Sequence, residues 1–310
     1  LLEDLSPASS VNQLTGFSVE HARRALDQAA ALHAPMWGDD TLADVDWLNH
    51  TRATGEALAQ LAPMLTESFC ERYAADLDDA LLAQIRRLNA LAPAFWTTQD
   101  GPLTVIHADF RTDNMLFDAK AGEYPVAVVD WQTVDRGNGL LDVAFLLGTA
   151  LEPDTRRAHE QELVSRYFDA LIAGGVRDYD WQQCWIDYRR HACYAVYFLA
   201  PAAMLVERTE RGDQMFLTMI RRALVQITDL DTETLLERLK AIVEKLGPFP
   251  HSKLHPSPAL KKQSTRMKKA ECECCGYVIR LTRKWADVGI PDCPVDKKPL
   301  KLEDRMGDED

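Results

Sequence analysis

Residues 105–130 constrain the fold of this chain more than any other stretch. Three short apolar runs, at residues 105–106, 115–117 and 126–129, alternate with polar segments. Short apolar runs bounded by polar residues are typical of buried β-strands. The polar side chains at their ends are His107, Asp109, Asn114 and Asp130. The pattern predicts a strand–loop–strand hairpin that gathers these side chains at one place.

The spacing His-x-Asp-x-x-x-x-Asn, followed by an apolar strand that ends in Asp, is typical of a phosphoryl-transfer site. A hydroxyl that attacks a phosphate needs an acceptor for its proton, and Asp109 is the candidate base. Magnesium prefers oxygen ligands, which makes Asn114 and Asp130 the candidate metal ligands. Arg111 is the candidate contact of the transferring phosphate, because a guanidinium offsets its charge.

Each residue also has a purely structural interpretation. Loop Asp and Asn residues usually cap helices or close turns, and a single His more often satisfies a local hydrogen bond than takes part in chemistry. The fixed spacing and the apolar context of all three positions favour the functional interpretation. His107 itself is assigned to holding the loop.

The region resembles the aminoglycoside phosphotransferase and choline kinase superfamily, which has a kinase-like fold. The segment from His107 to Asn114 resembles its His-Gly-Asp-x-x-x-x-Asn catalytic loop, with Ala108 in place of Gly. Asp-Trp-Gln at residues 130–132 resembles its magnesium-binding segment. The resemblance implies ATP and Mg²⁺ as cofactors and a small-molecule hydroxyl as the phosphate acceptor.

Residues 136–147 extend this resemblance. In the family an Asp at the start of the next helix supports the catalytic loop, and Asp142 matches that position. Three segments of this region most resemble the ecdysteroid-kinase-like branch: Asp-Trp-Gln at residues 130–132, Arg-Gly at 136–137 and Asp-Val-Ala-Phe-Leu at 142–146. Acceptor recognition in the superfamily comes from later helices. Tyr188, His191, Tyr194 and Tyr197 are therefore candidates there, although their spacing is also that of a buried helix face, which we favour.

The first five residues resemble the last strand and hinge that join the two lobes of a kinase. Glu3, Asp4 and Leu5 are the candidate contacts of the adenine of ATP. No Gly-rich turn or Val-Ala-x-Lys pattern precedes them. The resemblance therefore predicts that the chain begins after the small lobe, and that it needs this lobe from elsewhere to be active.

The predicted fold is α+β and mainly α: the C-terminal lobe of a protein-kinase-like fold with a small catalytic β-hairpin. We expect a helix at Val19–His33, capped by Ser18. Further helices are expected at residues 64–73, which begin just after Pro63, at 77–91, which end before Pro93, and at 155–173 and 181–207, with one or two more over 213–246. No apolar run approaches the roughly 20 residues that cross a bilayer, so no membrane partner is expected. Seven cysteines without an even framework across the chain favour a reducing cytoplasm.

The composition changes near residue 250. The chain carries a net charge of −13, but residues 251–310 hold thirteen Lys or Arg against ten Asp or Glu. We therefore predict a kinase-like lobe at 1–250, a basic linker at 251–270, a zinc-ribbon-like module at 271–302 and an acidic tail at 303–310. A basic segment is usually a solvated one, although it can contact phosphates.

The predicted module resembles the C-terminal ribbon of SprT-like proteins, without their His-Glu-x-x-His protease helix. Its candidate Zn²⁺ ligands are Cys272, Cys275, Cys293 and Asp296. Cys274 as a substitute ligand and a ribbon without metal remain alternatives. Two functions are therefore weighed: a small-molecule kinase, or an inactive kinase-like lobe whose ribbon binds protein or nucleic acid. Nucleic acid is expected as a partner only through this basic module.

Overall fold

A computed structural model describes residues 3–48, 50–97, 101–246, 268–271, 278–281 and 301–302. The chain divides into two compact units, Leu1–Phe249 and Pro250–Asp310. The described part of the first unit is mainly helical, which confirms the predicted mainly α character. In the described part of the second unit, three strands form one antiparallel sheet in the order Val278–Leu281, Lys268–Glu271, Lys301–Leu302.

The helices of the first unit pack around one that is buried along its whole length. They are α1 (Val19–His33), α2 (His50–Arg72), α3 (Asp79–Thr97), the one-turn α4 (Ala119–Gly122), α5 (Leu140–Ala150), α6 (Pro153–Ala173), α7 (Trp181–His191), α8 (Tyr194–Leu205), α9 (Glu210–Asp229) and α10 (Thr232–Leu246). Every residue of α5 is buried, and α1, α6, α7, α8 and α9 all pack against it. Helix α5 therefore lies at the centre of the hydrophobic core.

Five short strands form two small sheets in this unit. They are β1 (Ser9–Ser10), β2 (Thr104–Ile106), β3 (Met115–Asp118), β4 (Tyr124–Val128) and β5 (Asp135–Gly137). Strands β3 and β4 form an antiparallel hairpin, and β1 pairs with the other edge of β3. Strands β2 and β5 pair with each other. The polar loop between β2 and β3 is held between the two sheets.

Helix α1 follows the prediction in both bounds and cap. The Ser18 side chain accepts the His21 N–H, which satisfies one of the donors that a helix start leaves free. The buried face consists mainly of alanines, at positions such as Ala22, Ala25 and Ala29. Small side chains allow close packing, and α1 lies against α6. Pro35 follows at the start of a short 3₁₀ turn, Ala34–Met36.

The predicted effect of two prolines was wrong. Pro63 was expected to start a helix and Pro93 to follow the end of one, yet α2 and α3 continue through them. A proline inside a helix removes one hydrogen bond and leaves the carbonyl four residues earlier without its donor. Both prolines are exposed. Neither proline ring therefore has to be accommodated in the core.

The long helix expected at residues 181–207 is in fact two helices, α7 and α8, which break at Ala192 and Cys193. Both halves contact α5, but their other neighbours differ: α7 lies against α6, whereas α8 lies against α2 and α9. The break between the halves lets each one pack on its own neighbours. The stretch at 213–246, where one or two helices were expected, forms two, α9 and α10. In the described part of the chain, no helix is long and apolar enough to cross a membrane.

The strand expected at the first five residues is absent from residues 3–5, since the first strand begins at Ser9. Asp4 Oδ1 accepts the Ser6 N–H at 2.9 Å, which turns the chain. Pro7 follows and has no N–H to donate to a strand partner. Local turn chemistry therefore replaces the predicted extended segment.

Candidate active site

The β3–β4 hairpin places Asn114 next to Asp130. Met115 is paired with Val128 in its register. One step further, the Val129 N–H donates to the Asn114 carbonyl at 2.9 Å. The two predicted metal ligands therefore leave neighbouring strands at the same end of the hairpin, although sixteen positions separate them in the sequence.

Asp109 lies in the loop between β2 and β3, and its side chain is almost fully buried. Oδ2 accepts Asn114 Nδ2 at 2.9 Å and Arg111 Nε at 3.2 Å. Arg111 Nε also lies 3.1 Å from Oδ1, but among the residues that the structure describes no group donates a hydrogen bond to this buried oxygen. Burial raises the pKa of the Asp109 carboxyl, and the nearby Arg111 charge opposes that rise. The free oxygen is the atom that could take a proton.

Asn114 uses its amide nitrogen entirely on Asp109. Nδ2 donates to the Asp109 carbonyl and to Oδ2, both at 2.9 Å. These bonds orient the side-chain amide, and its oxygen is the atom that can ligate a cation. Asn114 closes a 3₁₀ turn, Thr112–Asn114, through its backbone bond to the Arg111 carbonyl at 3.0 Å. The turn thus fixes the second predicted metal ligand relative to the base.

Asp130 follows β4 in a left-handed conformation, with φ 64° and ψ 61°. Asp adopts this conformation more readily than most residues. The residue is exposed, and within the described ranges no hydrogen bond or ion pair engages its carboxylate. Together with the amide oxygen of Asn114 it gives two hard oxygen donors at one end of the hairpin. This donor set fits Mg²⁺, which is bound by few protein ligands and retains several waters.

Arg111 is already occupied by acidic side chains. Besides Asp109, its Nη1 lies 3.1 Å from Asp113 Oδ2 and 3.6 Å from the Met215 sulfur. The guanidinium therefore joins the loop to α9. To contact a phosphate as predicted, the Arg111 guanidinium would have to release one of these carboxylates, or bind the phosphate and the carboxylates at the same time.

Within the described structure, the imidazole of His107 forms hydrogen bonds only with main-chain groups. Its Nε2 lies 2.9 Å from the Val129 carbonyl, and its Nδ1 accepts the Asp109 N–H at 3.2 Å. Since a carbonyl can only accept, Nε2 carries the proton and Nδ1 does not. The imidazole thereby links the loop to the end of β4, and the Trp131 ring packs on it at 4.9 Å.

Asp142 lies in the first turn of α5 and is fully buried. Its Oδ2 accepts the His107 N–H at 2.7 Å, and its Oδ1 accepts the Ala108 N–H at 2.9 Å. His33 Nε2 lies 3.2 Å from Oδ2, and His33 Nδ1 lies 2.7 Å from the Tyr167 hydroxyl. These hydrogen bonds connect the loop to α5 directly, and through His33 and Tyr167 to α1 and α6.

Two further features of the loop were not predicted from the sequence, a backbone conformation and a contact. Ala108 has φ 63°, a conformation that favours glycine. Its carbonyl accepts the Tyr194 hydroxyl at 2.8 Å. The sequence places an Ala where the family has Gly, which is the one signal that pointed to unusual backbone here. Nothing local in the sequence connects Tyr194 to a loop 86 positions earlier.

The four residues considered as acceptor contacts are packed side chains. Tyr188, His191 and Tyr194 are buried, and Tyr197 is half-buried with its hydroxyl bonded to the Leu88 carbonyl. This packing agrees with the favoured interpretation, a buried helix face.

The residues expected to contact adenine lie elsewhere in the unit. Glu3 forms an ion pair with Lys120, and the Leu5 carbonyl accepts the Lys120 N–H at 3.1 Å. Lys120 belongs to the turn between β3 and β4, whereas Asn114 and Asp130 lie at the opposite end of that hairpin. The structure therefore does not bring Glu3, Asp4 and Leu5 together with the predicted base and metal ligands.

The candidate zinc ligands, Cys272, Cys275, Cys293 and Asp296, lie outside the described residues. Among the residues that are described, no three His, Cys, Asp or Glu side chains form a group that could hold a metal ion. The predicted magnesium site is not such a group, because it consists of one amide, Asn114, and one carboxylate, Asp130.

Comparison with known proteins assigns the chain to a family. The model described as the phosphotransferase enzyme family matches residues 8–184, more than half of the chain, so the chain belongs to this family. No curated protein sequence matches it. The choline kinase of Cryptosporidium parvum Iowa II is similar in structure, with 11% identity, TM-score 0.36, and coverage of 78% of this chain and 70% of that one.

A second solved structure is a choline/ethanolamine kinase family protein from Mesorhizobium loti. Its identity to this chain is 15% and its TM-score 0.35, with 76% of this chain and 84% of that chain covered. The assignment rests on the family match alone, by which the chain is a member of the phosphotransferase enzyme family.

Proposed function

We propose that this chain transfers the γ-phosphate of ATP to a hydroxyl of a small molecule, with Asp109 as the base. The observation that carries the proposal is the state of the Asp109 carboxylate. One of its oxygens is held by Asn114 and Arg111, and the other accepts no hydrogen bond from any residue in the described part of the chain. This second oxygen is buried and lies 3.1 Å from Arg111 Nε, so an attacking hydroxyl that reached it could give up its proton there without breaking a hydrogen bond of the carboxylate.

The environment of Asp109 suits this role. Burial raises the pKa of its carboxyl, and Arg111 limits the rise. A base is most effective when its pKa approaches the working pH while the group remains ionised. The net effect is a raised pKa, which makes the Asp109 carboxylate more basic than that of an exposed Asp.

Asn114 and Asp130 are the proposed ligands of Mg²⁺. When bound, this ion would neutralise charge that develops on the phosphates during transfer. The chain's own contribution is orientation: Asn114 is fixed by Asp109, and Asp130 is presented at the hairpin end by its left-handed backbone. Arg111, which also contacts the base, is proposed to contact the transferring phosphate.

Two finer assignments rest on the sequence alone. The segments at residues 130–132 and 136–147 support membership of the ecdysteroid-kinase-like branch, and a reducing cytoplasm fits the cysteine usage. The alternative of an inactive lobe with a zinc ribbon depends on residues outside the described ranges and stays a prediction.

Calorimetric titration of the chain with Mg-ATP tests the proposal. The parent is expected to bind, and Asp130→Asn to bind at least about tenfold more weakly, because removing a ligand costs no less than removing a group that orients one. Asp118→Asn is the matched control: Asp118 is an exposed, left-handed Asp at the far end of β3. Equal binding by Asp130→Asn and the parent, or no binding by the parent, would contradict the proposal.

A further inference from the structure

Gln13 precedes α1, and its side chain is buried against the catalytic loop. All four of its hydrogen-bonding groups are used. The side-chain oxygen accepts the Thr112 hydroxyl, and Nε2 donates to the Thr149 carbonyl at 3.1 Å. Its backbone N–H donates to Asp113 Oδ1 at 3.3 Å, and its carbonyl accepts Arg222 Nη1 at 3.1 Å. One residue thus joins the loop, the end of α5 and α9.

Arg222 holds the segment that carries Gln13. It is 5% exposed, and it donates to the carbonyls of Thr149 and Leu14 at 3.1 and 3.0 Å and pairs with Glu152. The Thr149 carbonyl lies at the C-terminal end of α5, where carbonyls lack helical donors and a positive charge is favourable. The guanidinium therefore has a reason to be buried there, and it fixes the Gln13 backbone.

Gly16 shows how closely the same segment approaches α5. It has φ +72°, and a Cβ at this position would lie 2.3 Å from the Ala150 carbonyl oxygen. That carbonyl accepts the Phe17 N–H at 2.7 Å. The segment is thus held against the end of α5 on both sides of Leu14, and Gln13 has little freedom to move.

The turn Thr112–Asn114 is held mainly by hydrogen bonds to residues that lie outside it. Arg111, at its cap position, makes no side-chain capping bond. Thr112 is fully buried and gives its hydroxyl to Gln13, while Asp113 takes the Gln13 N–H. The turn ends at Asn114, whose amide oxygen is the proposed magnesium ligand.

We propose that Gln13, fixed by Arg222, is a positioning residue for the metal site. It sets the place of the Thr112–Asn114 turn, and through the turn it sets the place of the Asn114 amide oxygen. This inference rests on the proposed function, because it assigns the purpose of the contact to metal binding. Displacement of a ligand by a fraction of an ångström weakens a site that needs near-ideal octahedral geometry.

The first test measures metal affinity, with Mn²⁺ as a paramagnetic probe in the presence of ATP and free Mn²⁺ read by EPR. Gln13→Ala is expected to weaken Mn²⁺ binding about tenfold, the smallest usual effect of losing an orienting partner. The matched control is Gln84→Ala, which removes another buried glutamine, bonded to Thr228 and Glu233 far along the chain from the loop. It should leave the affinity unchanged.

Two variants of Thr112 test the same hydrogen bond from its other side. Thr112→Val removes the hydroxyl with little change of shape and should weaken Mn²⁺ binding as Gln13→Ala does. Thr112→Ser retains the hydroxyl and should restore parent affinity. Equal affinity of the valine and serine variants would overturn the proposal.

Hydrogen exchange separates this inference from the proposed function. The Asn114 and Val129 amides report on the turn, since they donate to the Arg111 and Asn114 carbonyls. In Gln13→Ala they should exchange faster than in Gln84→Ala, while the amides of α6 exchange alike in both. Faster exchange in Gln13→Ala, together with no Mn²⁺ binding by the parent, would show that Gln13 places the turn but would refute the proposed function, and with it the role of the turn in metal binding. Unchanged exchange would overturn the positioning role itself.

Discussion

The carboxylate of Asp142 accepts the backbone N–H of Ala108 at 2.9 Å, and this contact holds Ala108 in a left-handed conformation, with φ 63°. The other carboxylate oxygen accepts the preceding N–H, that of His107, at 2.7 Å. A buried carboxylate that receives two backbone donors is well compensated. The residue before the proposed base is therefore kept in an unfavourable backbone conformation by a charge on the central helix.

Asp142→Asn should lower the free energy of unfolding by about 2–4 kcal/mol, because one N–H of the loop would then face an amide NH₂ and lose its acceptor in a buried place. Urea denaturation measures this loss. Asp27→Asn is the control, since Asp27 forms an exposed pair with Arg166, and such pairs contribute at most about 1 kcal/mol. Equal losses of unfolding free energy in the two variants would show that the Asp142 contacts stabilise the fold no more than an exposed ion pair does.

Ala108→Gly should change the free energy of unfolding by less than about 1 kcal/mol, although a buried methyl group is lost. Relief of left-handed strain, about 1–2 kcal/mol, offsets the lost burial and the added chain entropy. Ala144 is an equally buried alanine inside α5. Ala144→Gly should cost about 1.5–2 kcal/mol, since no strain is relieved there. Thermal or urea unfolding compares them, and equal costs would contradict strain at Ala108.

Much of the arrangement of the candidate site could be predicted from the sequence, because the motif residues and the strands that carry them are close together in the chain. The spacing from His107 to Asn114 and the apolar run before Asp130 lie within 24 positions. Alternating apolar runs therefore sufficed to predict the hairpin on which these residues lie. The bounds of α1 were predictable for the same reason, since its serine cap and its first apolar face are adjacent in the chain.

The groups that hold the site could not be predicted in this way. Gln13 contacts a loop 99 positions later, and Tyr194 contacts one 86 positions earlier. No periodicity or spacing records such pairs, because each residue also fits its own local structure. The two internal prolines show the same limit from the other side. Their local preference is to end a helix, and packing of α2 and α3 in the tertiary structure overrides it.

Arg111→Gln should raise the pKa of the Asp109 carboxyl further, because the Arg111 charge is the largest influence that opposes the effect of burial. The acid limb of any rate that needs ionised Asp109 would then move to higher pH. The ¹³C shift of the Asp109 carboxyl, followed through a pH titration, measures the pKa without needing an acceptor. Arg24→Gln is the control, since Arg24 pairs with Asp118 away from the loop. An unchanged Asp109 titration in Arg111→Gln would contradict the assigned coupling.

His191→Gln should flatten the pH dependence of stability between about pH 6.5 and 5. Burial lowers the pKa of His191 to about 3, and its Nδ1–H donates to the Asp187 carbonyl at 2.8 Å. As the pH falls below the ordinary pKa of histidine, the unfolded chain binds a proton that the folded chain excludes. The free energy of unfolding should therefore fall by up to about 1.4 kcal/mol per pH unit because of this residue.

Urea denaturation of the parent and His191→Gln across that window isolates the His191 contribution, because every other titrating group is common to both. Glutamine can retain a donor for the Asp187 carbonyl, so the variant should stay folded. If His191→Gln lost stability with falling pH as steeply as the parent, the folded protein would be accepting a proton at His191, and the buried imidazole could not be the group that limits acid stability.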